Sequence, residues 1–195
     1  MACIFPIDAD KARLRRRLRA LRRQLARDRE GASQRAADLA PLSLWPAAPI
    51  VAGYLAMETE FDPAPLLRRL EAGGARILLP AVTARDAPLI FREAGAPEDL
   101  APDLVGIPAP PPTALALQPL LVIVPLLAFD RTGGRLGQGG GFYDRTLRGL
   151  RRRGAVTAVG VAFAGQEVER VPVGPGDERL DAVLTERGYI EFGKG

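Results

Sequence analysis

Residues 125–147 read PLLAFDRTGGRLGQGGGFYDRTL, and six of the nine residues from Gly133 to Gly141 are glycine. An apolar, strand-like run (Leu120 to Val124) precedes them and a helix-like segment (Tyr143 to Arg153) follows. Strand, glycine loop and helix start, in that order, make an anion cradle. Glycines let backbone N–H groups approach and point at phosphate oxygens, and the helix N-terminus adds its partial positive charge. Arg135 inside the loop can fork onto phosphate oxygens, and Asp144 just after it can hold a divalent cation. The competing reading is a tightly turning surface loop. It leaves unexplained why an Arg, the aromatic pair Phe142–Tyr143 and an Asp gather around the junction.

The common nucleotide signatures are absent. No Lys occurs between Lys11 and Lys194, which excludes G-x-x-x-x-G-K-[ST]; Phe142 stands where G-x-G-x-x-G would need a third glycine after Gly137 and Gly139. There is no histidine anywhere in the chain. Ser-His and Cys-His catalysis, histidine metal sites and histidine pH switches are thereby excluded. Phosphoryl transfer survives the exclusion, because it relies on positioning and on charge neutralisation by Arg, Lys, metal and backbone N–H groups.

The elements that must position these groups read as an α/β pattern. Ile50 to Leu55, Arg76 to Leu79, Leu89 to Phe91, Leu120 to Val124, Val156 to Phe163 and Ala182 to Leu184 are strand-like. Asp62 and Pro63 read as the N-cap and first residue of a helix that Gly73–Gly74 ends. Residues 96–112, APEDLAPDLVGIPAPPP, are too proline-rich for regular structure and read as a surface crossing or lid-like connection. Alternating strands and helices predict a sheet covered on both faces. At 195 residues the chain can bury one sizeable core, so residues 1–195 are expected to form a single domain.

Composition narrows the setting. Hydrophobic residues make up 47% of the chain with no uninterrupted apolar run approaching a bilayer span, so a soluble protein is expected. The single cysteine, Cys3, excludes an intrachain disulfide and a cysteine zinc site and fits a reducing, cytoplasmic compartment. The oligomeric state stays open, a monomer among the options. The net charge of +4 is uneven: residues 1–30 hold ten Lys/Arg against four Asp/Glu, and the rest hold 17 against 19. In the basic segment Leu14, Leu18, Leu21 and Leu25 recur at helical spacing, so it reads as an amphipathic helix with an arginine-rich face, capped by Asp8 or Asp10. That face is read as solvated charge, a nucleic-acid contact, an organelle-targeting peptide or a phosphate clamp. Nucleic acid is weakly supported, since the remaining chain is acidic and no aromatics interleave the arginines. Pro6, Asp8 and Asp10 count against a targeting peptide.

The glycine stretch resembles the signature of the 5-formyltetrahydrofolate cyclo-ligases, roughly V-P-x-x-x-F-D-x-x-G-x-R-L-G-x-G-G-G-F/Y-Y-D-R-x-L. Val124, Pro125, Phe129, Asp130, Gly133 or Gly134, Arg135, Leu136, Gly137, Gly139, Gly140, Gly141, Phe142, Tyr143, Asp144, Arg145 and Leu147 fill it. Lys11, Leu14 and Arg15 match the family's opening K-x-x-L-R, which favours the phosphate clamp for Lys11 and Arg15 and leaves the other arginines as solvated charge. Tyr54–Leu55 through Glu60 to Leu66 resembles the family's Y-x-x-x-x-x-E-x-x-x-x-P-L block, while Val159 to Gln166 and Leu180 to Glu186 look like its late strands. Two elements depart. G-I-x-E-P stands here as Gly106, Ile107, Pro108, Ala109 and Pro110, without its Glu. P-x-E-x-H/W-D stands as Pro172, Val173, Gly174, Pro175, Gly176 and Asp177, keeping only the final acid of its three polar or bulky positions.

The resemblance implies a three-layer α/β/α sandwich with a mainly parallel sheet and an N-terminal basic amphipathic helix. It implies ATP-dependent conversion of 5-formyltetrahydrofolate to 5,10-methenyltetrahydrofolate with release of ADP and phosphate, in which the formyl oxygen attacks the γ-phosphate and N10 then closes on the formyl carbon. It places ATP on Lys11, Arg15, Arg135, Leu136, Gly137, Gln138, Gly139, Gly140, Gly141, Phe142 and Tyr143, with Arg135 also catalytic. It places the folate on Leu55 and Glu60, and Mg²⁺ on Asp144 and Asp177. Ala109, Gly174 and Gly176 keep open a relative that directs the same ATP chemistry at another small molecule, and the basic helix keeps open a nucleic-acid-binding protein.

Overall fold

The computed structural model of the chain describes residues 6–28, 30–42 and 49–193, with side chains from residue 11 onward except that of residue 28. Cys3 and the side chains of Asp8 and Asp10 lie outside the described residues. In chain order the elements are α1 (Pro6–Asp28), α2 (Ala32–Leu39), β1 (Ile50–Ala52), α3 (Ala64–Ala72), β2 (Arg76–Ala81), β3 (Ile90–Glu93), β4 (Ala101–Pro102) and β5 (Pro108–Ala109). There follow β6 (Leu121–Pro125), β7 (Ala128–Phe129), β8 (Arg135–Leu136), α4 (Phe142–Arg153), β9 (Thr157–Val161), β10 (Ala182–Thr185) and β11 (Gly188–Glu191).

A seven-stranded sheet in the order β11-β10-β9-β6-β1-β2-β3 forms the middle layer. The five inner strands run parallel, and β3 and β11 close the edges antiparallel. The apolar run of β6 explains its central place. Leu121 and Ile123 point into one core with Leu66, Leu67 and Leu70 of α3 and Ala32, Ala36 and Ala37 of α2. Val122 and Val124 point into the opposite core with Leu147 and Leu150 of α4. A strand buried on both faces needs apolar residues at every position, and each such side chain contributes about 1.5–3 kcal/mol by leaving water. The three-layer α/β/α expectation and the mainly parallel sheet agree with this architecture.

Several local readings are corrected. The first strand stops at Ala52, and the second continues to Ala81. Asp62 lies one residue outside the cap of α3: Pro63 takes that place and Asp62 Oδ1 accepts from the Ala64 amide at 2.9 Å. The proline-rich segment is more ordered than its composition suggests. Pro97–Asp99 forms a 3-10 turn and β4 pairs with β5 as a short hairpin, since edge positions tolerate proline. Helix α2 and edge strand β11 were not foreseen; α2 buries alanines, which give little hydrophobic periodicity.

Topology fixes where a ligand can sit. From β1 the chain moves through α3 to β2 on one side, whereas from β6 it moves through α4 to β9 on the other, and β1 and β6 are neighbours. In open parallel sheets the crevice beyond the carboxyl ends of two such strands is the binding position. Helix α1 closes that crevice. Its Leu14, Leu18 and Leu21 pack on Leu127, Ala128, Leu136 and Val171 around the β7–β8 hairpin, and Leu25 reaches the core beneath α2.

Candidate active site

A cleft of about 730 Å³ opens at the β1/β6 switch point, between α1, the glycine loop and the segment after β1. All the residues implicated by the sequence line it: Lys11, Arg15, Leu55, Glu60, Arg135, Leu136, Gly137, Gln138, Gly139, Gly140, Gly141, Phe142, Tyr143, Asp144 and Asp177. Residues far apart in the chain thus meet in one cavity.

Helix α1 supplies a row of cations along one wall. Lys11, 8% exposed, is ion-paired with Asp177 Oδ2. Arg15 Nε donates to the Gly137 carbonyl at 3.0 Å, and Arg19 Nε donates to Gln138 Oε1 at 3.0 Å. Arg22, 5% exposed, is paired through Nη1 with Glu60 Oε1 at 3.3 Å while its Nε donates to Thr59 Oγ1 at 3.3 Å. These positions recur every three or four residues and therefore share a face, which at a rise of about 1.5 Å per residue runs roughly 16 Å along the cleft. The expectation that arginines beyond Arg15 are solvated charge is corrected for Arg19 and Arg22. Their spacing from Lys11 and Arg15 puts them on the same face, but that this face meets the cleft depends on segments distant in the chain.

The glycine run serves two structures. A hairpin interrupts the expected strand–loop–helix path, and Gly133 and Gly134 belong to its turn. Gly133 has φ 78°, and a Cβ at Gly134 would stand 2.7 Å from Asp130 Oδ2. Asp130, 1% exposed, holds this turn. Burial opposes its charge, but donors from Val171 N, Thr132 Oγ1 and N, and Gly134 N outweigh that and hold the carboxyl below its ordinary range. Gly137 to Gly141 form the cradle proper. Gly139 has φ 110° and faces the Arg15 guanidinium, and Gly141 has φ 67° as the cap of α4. The first amides of α4 lack helical acceptors, so they aim partial positive charge into the cleft beside Phe142 and Tyr143. Arg145 secures the end of the cradle, donating to the Gly140 carbonyl at 2.9 Å and lying 5.1 Å over the Phe142 ring.

The opposite wall carries an acceptor among aromatics. Glu60 Oε2 accepts from the Met57 amide at 3.2 Å in a turn where Glu58 has φ 52°. Tyr54, beside Leu55, donates its hydroxyl to the Phe61 carbonyl at 2.5 Å. Burial first, and then the Glu60 charge, push the phenols of Tyr54 and Tyr143 upward, so both stay neutral. Tyr54, Arg19, Arg22 and the hairpin residues Val105, Ile107 and Pro108 also line the cleft, though the sequence reading gave them no site role. Ala109 is buried away from the cleft lining.

The acids Asp144 and Asp177 each hold a cation. Arg135 Nη2 pairs with Asp144 Oδ1 at 2.7 Å, and Lys11 with Asp177 Oδ2. Among the described residues, Asp144 Oδ2 and Asp177 Oδ1 receive no protein donor, and no group of three or more His, Cys, Asp or Glu could by itself hold a metal. Two carboxylates beside a glycine-rich anion cradle suit Mg²⁺, which takes one or two protein carboxylates, its own waters and phosphate oxygens. The backbone cradle with Lys11, Arg15 and Arg135 suits a polyphosphate.

Comparison with known proteins decides the family. The model of the 5-formyltetrahydrofolate cyclo-ligase family matches residues 7–186. The chain belongs to that family. Its similarity to the 5-formyltetrahydrofolate cyclo-ligase of Escherichia coli K12 is 37% identity over 140 residues, 69% of this chain and 76% of that protein. The cyclo-ligase of Mycolicibacterium smegmatis is 36% identical over 152 residues, 72% of this chain and 75% of its own. Among solved structures, Aquifex aeolicus 5,10-methenyltetrahydrofolate synthetase superposes with TM-score 0.77 at 28% identity, covering 95% of this chain and 94% of that one. The cyclo-ligase signature from Val124 to Leu147 therefore spans, in this member, a core strand, a hairpin turn, the cradle and the start of α4.

Proposed function

We propose that the protein performs the cyclo-ligase reaction itself: 5-formyltetrahydrofolate and ATP are converted to 5,10-methenyltetrahydrofolate, ADP and phosphate. The observation that carries this reading is the sharing of one cleft by the cradle, its cations and Glu60, in a chain of this family. The amides of Gly137 to Gly141 and of the first turn of α4 bind the phosphates. Lys11 and Arg15 neutralise them, and Arg135, locked in the wall by Asp144 and the Glu178 carbonyl, faces the phosphoryl group in transit. Asp144 and Asp177 would hold Mg²⁺, which when bound would supply charge neutralisation on the phosphate oxygens. For that, Lys11 turns its charge from Asp177 to phosphate, while Arg135 keeps Asp144 Oδ1 and leaves Oδ2 for the metal.

Glu60, fixed by Arg22 and the Met57 amide, accepts hydrogen bonds from the folate's donor edge, with Leu55 and the neutral phenols of Tyr54 and Tyr143 packing beside it. Nothing must deprotonate the attacking formyl oxygen, which carries no proton. The proton that N10 loses on ring closure leaves with the phosphate, so a histidine-free site is sufficient. Among the described residues no helix is long and apolar enough to cross a membrane. Residues 1–195 act as one catalytic domain working in the cytoplasm, with no need of nucleic acid. It is tested by the near-ultraviolet absorbance of the methenyl product. Formation dependent on ATP and Mg²⁺ supports it; ATP hydrolysis without that product overturns it in favour of another small-molecule substrate.

A further inference from the structure

The loop that carries Asp177 has no large side chain before the acid to pack it in place. Gly174, Pro175 and Gly176 precede the acid, where the family's pattern has a Glu and a bulky ring. One turn closes through the Asp177 amide on the Gly174 carbonyl at 3.1 Å and the Gly174 amide on Asp177 Oδ2 at 2.6 Å. Lys11 of α1 pairs with Asp177 itself, and α4 grips the residue on either side of it, Gly176 by its backbone and Glu178 by its carboxylate. Arg148 donates through Nη2 to the Gly176 carbonyl at 2.5 Å and through Nε to Glu178 Oε1 at 3.2 Å. One turn further on, Arg151 donates to Glu178 Oε2, the Arg179 carbonyl and Asp181 Oδ2, each at 2.9 Å. Both carboxylate oxygens of Glu178 are thus gripped by the helix whose first turn borders the phosphate cradle. The backbone of Glu178 works in the other direction: its amide donates to Asp144 Oδ1 at 3.0 Å, and its carbonyl accepts from Arg135.

We infer that Glu178 is a positioning residue for the metal and phosphate end of the cleft. It lies next to Asp177, binds Asp144 and Arg135 through its main chain, and is clamped by Arg148 and Arg151. Helix α4 therefore sets the distance between the two acids: Asp144 rides on its first turn, and Asp177 is tethered through Glu178 to its middle. The arginine pair and Glu178 do in this chain what a larger side chain at Gly174 or Gly176 would do by packing. The inference rests on the reading of Asp144 and Asp177 as metal acids.

Glu178→Gln keeps the shape and both main-chain contacts while removing the two ion pairs, and Arg151→Gln releases the clamp from the other side. Binding of Mn²⁺ to the protein–ADP complex, followed by water-proton relaxation, reads the acids without turnover. Each variant should weaken Mn²⁺ binding roughly tenfold, the scale for losing a group that orients a metal ligand. Amide hydrogen exchange across 174–181 should quicken, while the Kd for 5-formyltetrahydrofolate in the absence of metal stays put. Unchanged Mn²⁺ affinity in both variants overturns the inference, as does an equal loss of folate affinity, which would mark Glu178 as general stabilisation. A wild-type protein that binds no Mn²⁺ with ADP overturns the metal reading as well, and so separates the two failures.

Discussion

Removing Arg22 should damage the folate end of the cleft and leave the phosphate end intact. Arg22 is 5% exposed, and its Nη1 lies 3.3 Å from Glu60 Oε1. At an effective dielectric of about 20, Coulomb's law gives a gross attraction of roughly 5 kcal/mol at 3.3 Å. Desolvation of both groups returns much of this, so the net coupling should be about 1–3 kcal/mol. Arg22→Met keeps the stem but leaves Glu60 with the Met57 amide as its remaining protein donor. The expected outcome is a rise of roughly 5- to 150-fold in the KM for 5-formyltetrahydrofolate, that coupling converted to a ratio. ATP binding measured separately should hold. A cycle with Glu60→Gln tests the pairing: urea unfolding and KM of the double variant should fall short of the two single losses added together. Additive losses, or an Arg22→Met enzyme with wild-type KM, would refute the reasoning.

Other outcomes follow from the same geometry. Arg135→Ala should slow turnover by roughly 10² or more, the scale for a lost preorganised charge stabiliser, with Arg135→Lys restoring part because a point charge cannot fork; steady-state rates at saturating substrates check this. Asp177→Asn should raise the Mg²⁺ needed for half-maximal rate with little change in thermal unfolding, and an unmoved Mg²⁺ titration would make Asp177 a loop acid. Asp130 has its carboxyl held below its ordinary range by four donors, so its contribution to stability is full above about pH 4 and is lost as pH falls through the lowered folded value. Asp130→Asn should therefore lower stability at neutral pH and flatten the acid limb of an unfolding profile measured by circular dichroism.

How much was legible depended on the kind of signal. The Leu120–Val124 run announced a buried strand, because five apolar residues between Pro119 and Pro125, three of them β-branched, are too few for a buried helix. The cradle was legible because glycine has few reasons to cluster before a helix. Its division was not: Gly133–Gly134 and Gly137–Gly141 look alike in sequence, and the carboxylate of Asp130 separates the two groups only in three dimensions. Arg22 was hidden for another reason. A basic helix shows which face is apolar, whereas the choice between solvent and cleft for each arginine depends on segments such as Thr59–Glu60, 37 or more residues away. The Arg148–Arg151 clamp was equally silent, since it joins a helix to a loop whose glycines carry no periodicity.

The central claim is that the cradle and the folate wall bring the formyl oxygen to the terminal phosphorus of ATP. Oxygen transfer measures this directly. 5-Formyltetrahydrofolate labelled with ¹⁸O in the formyl group is turned over once with unlabelled ATP, and the released phosphate is analysed by mass spectrometry. Attack by the formyl oxygen, followed by ring closure from N10, sends that oxygen out with phosphate, so the phosphate should carry one ¹⁸O. Unlabelled phosphate alongside full conversion to the methenyl product would mean that the two halves of the cleft do not meet in the reaction, and would contradict the account.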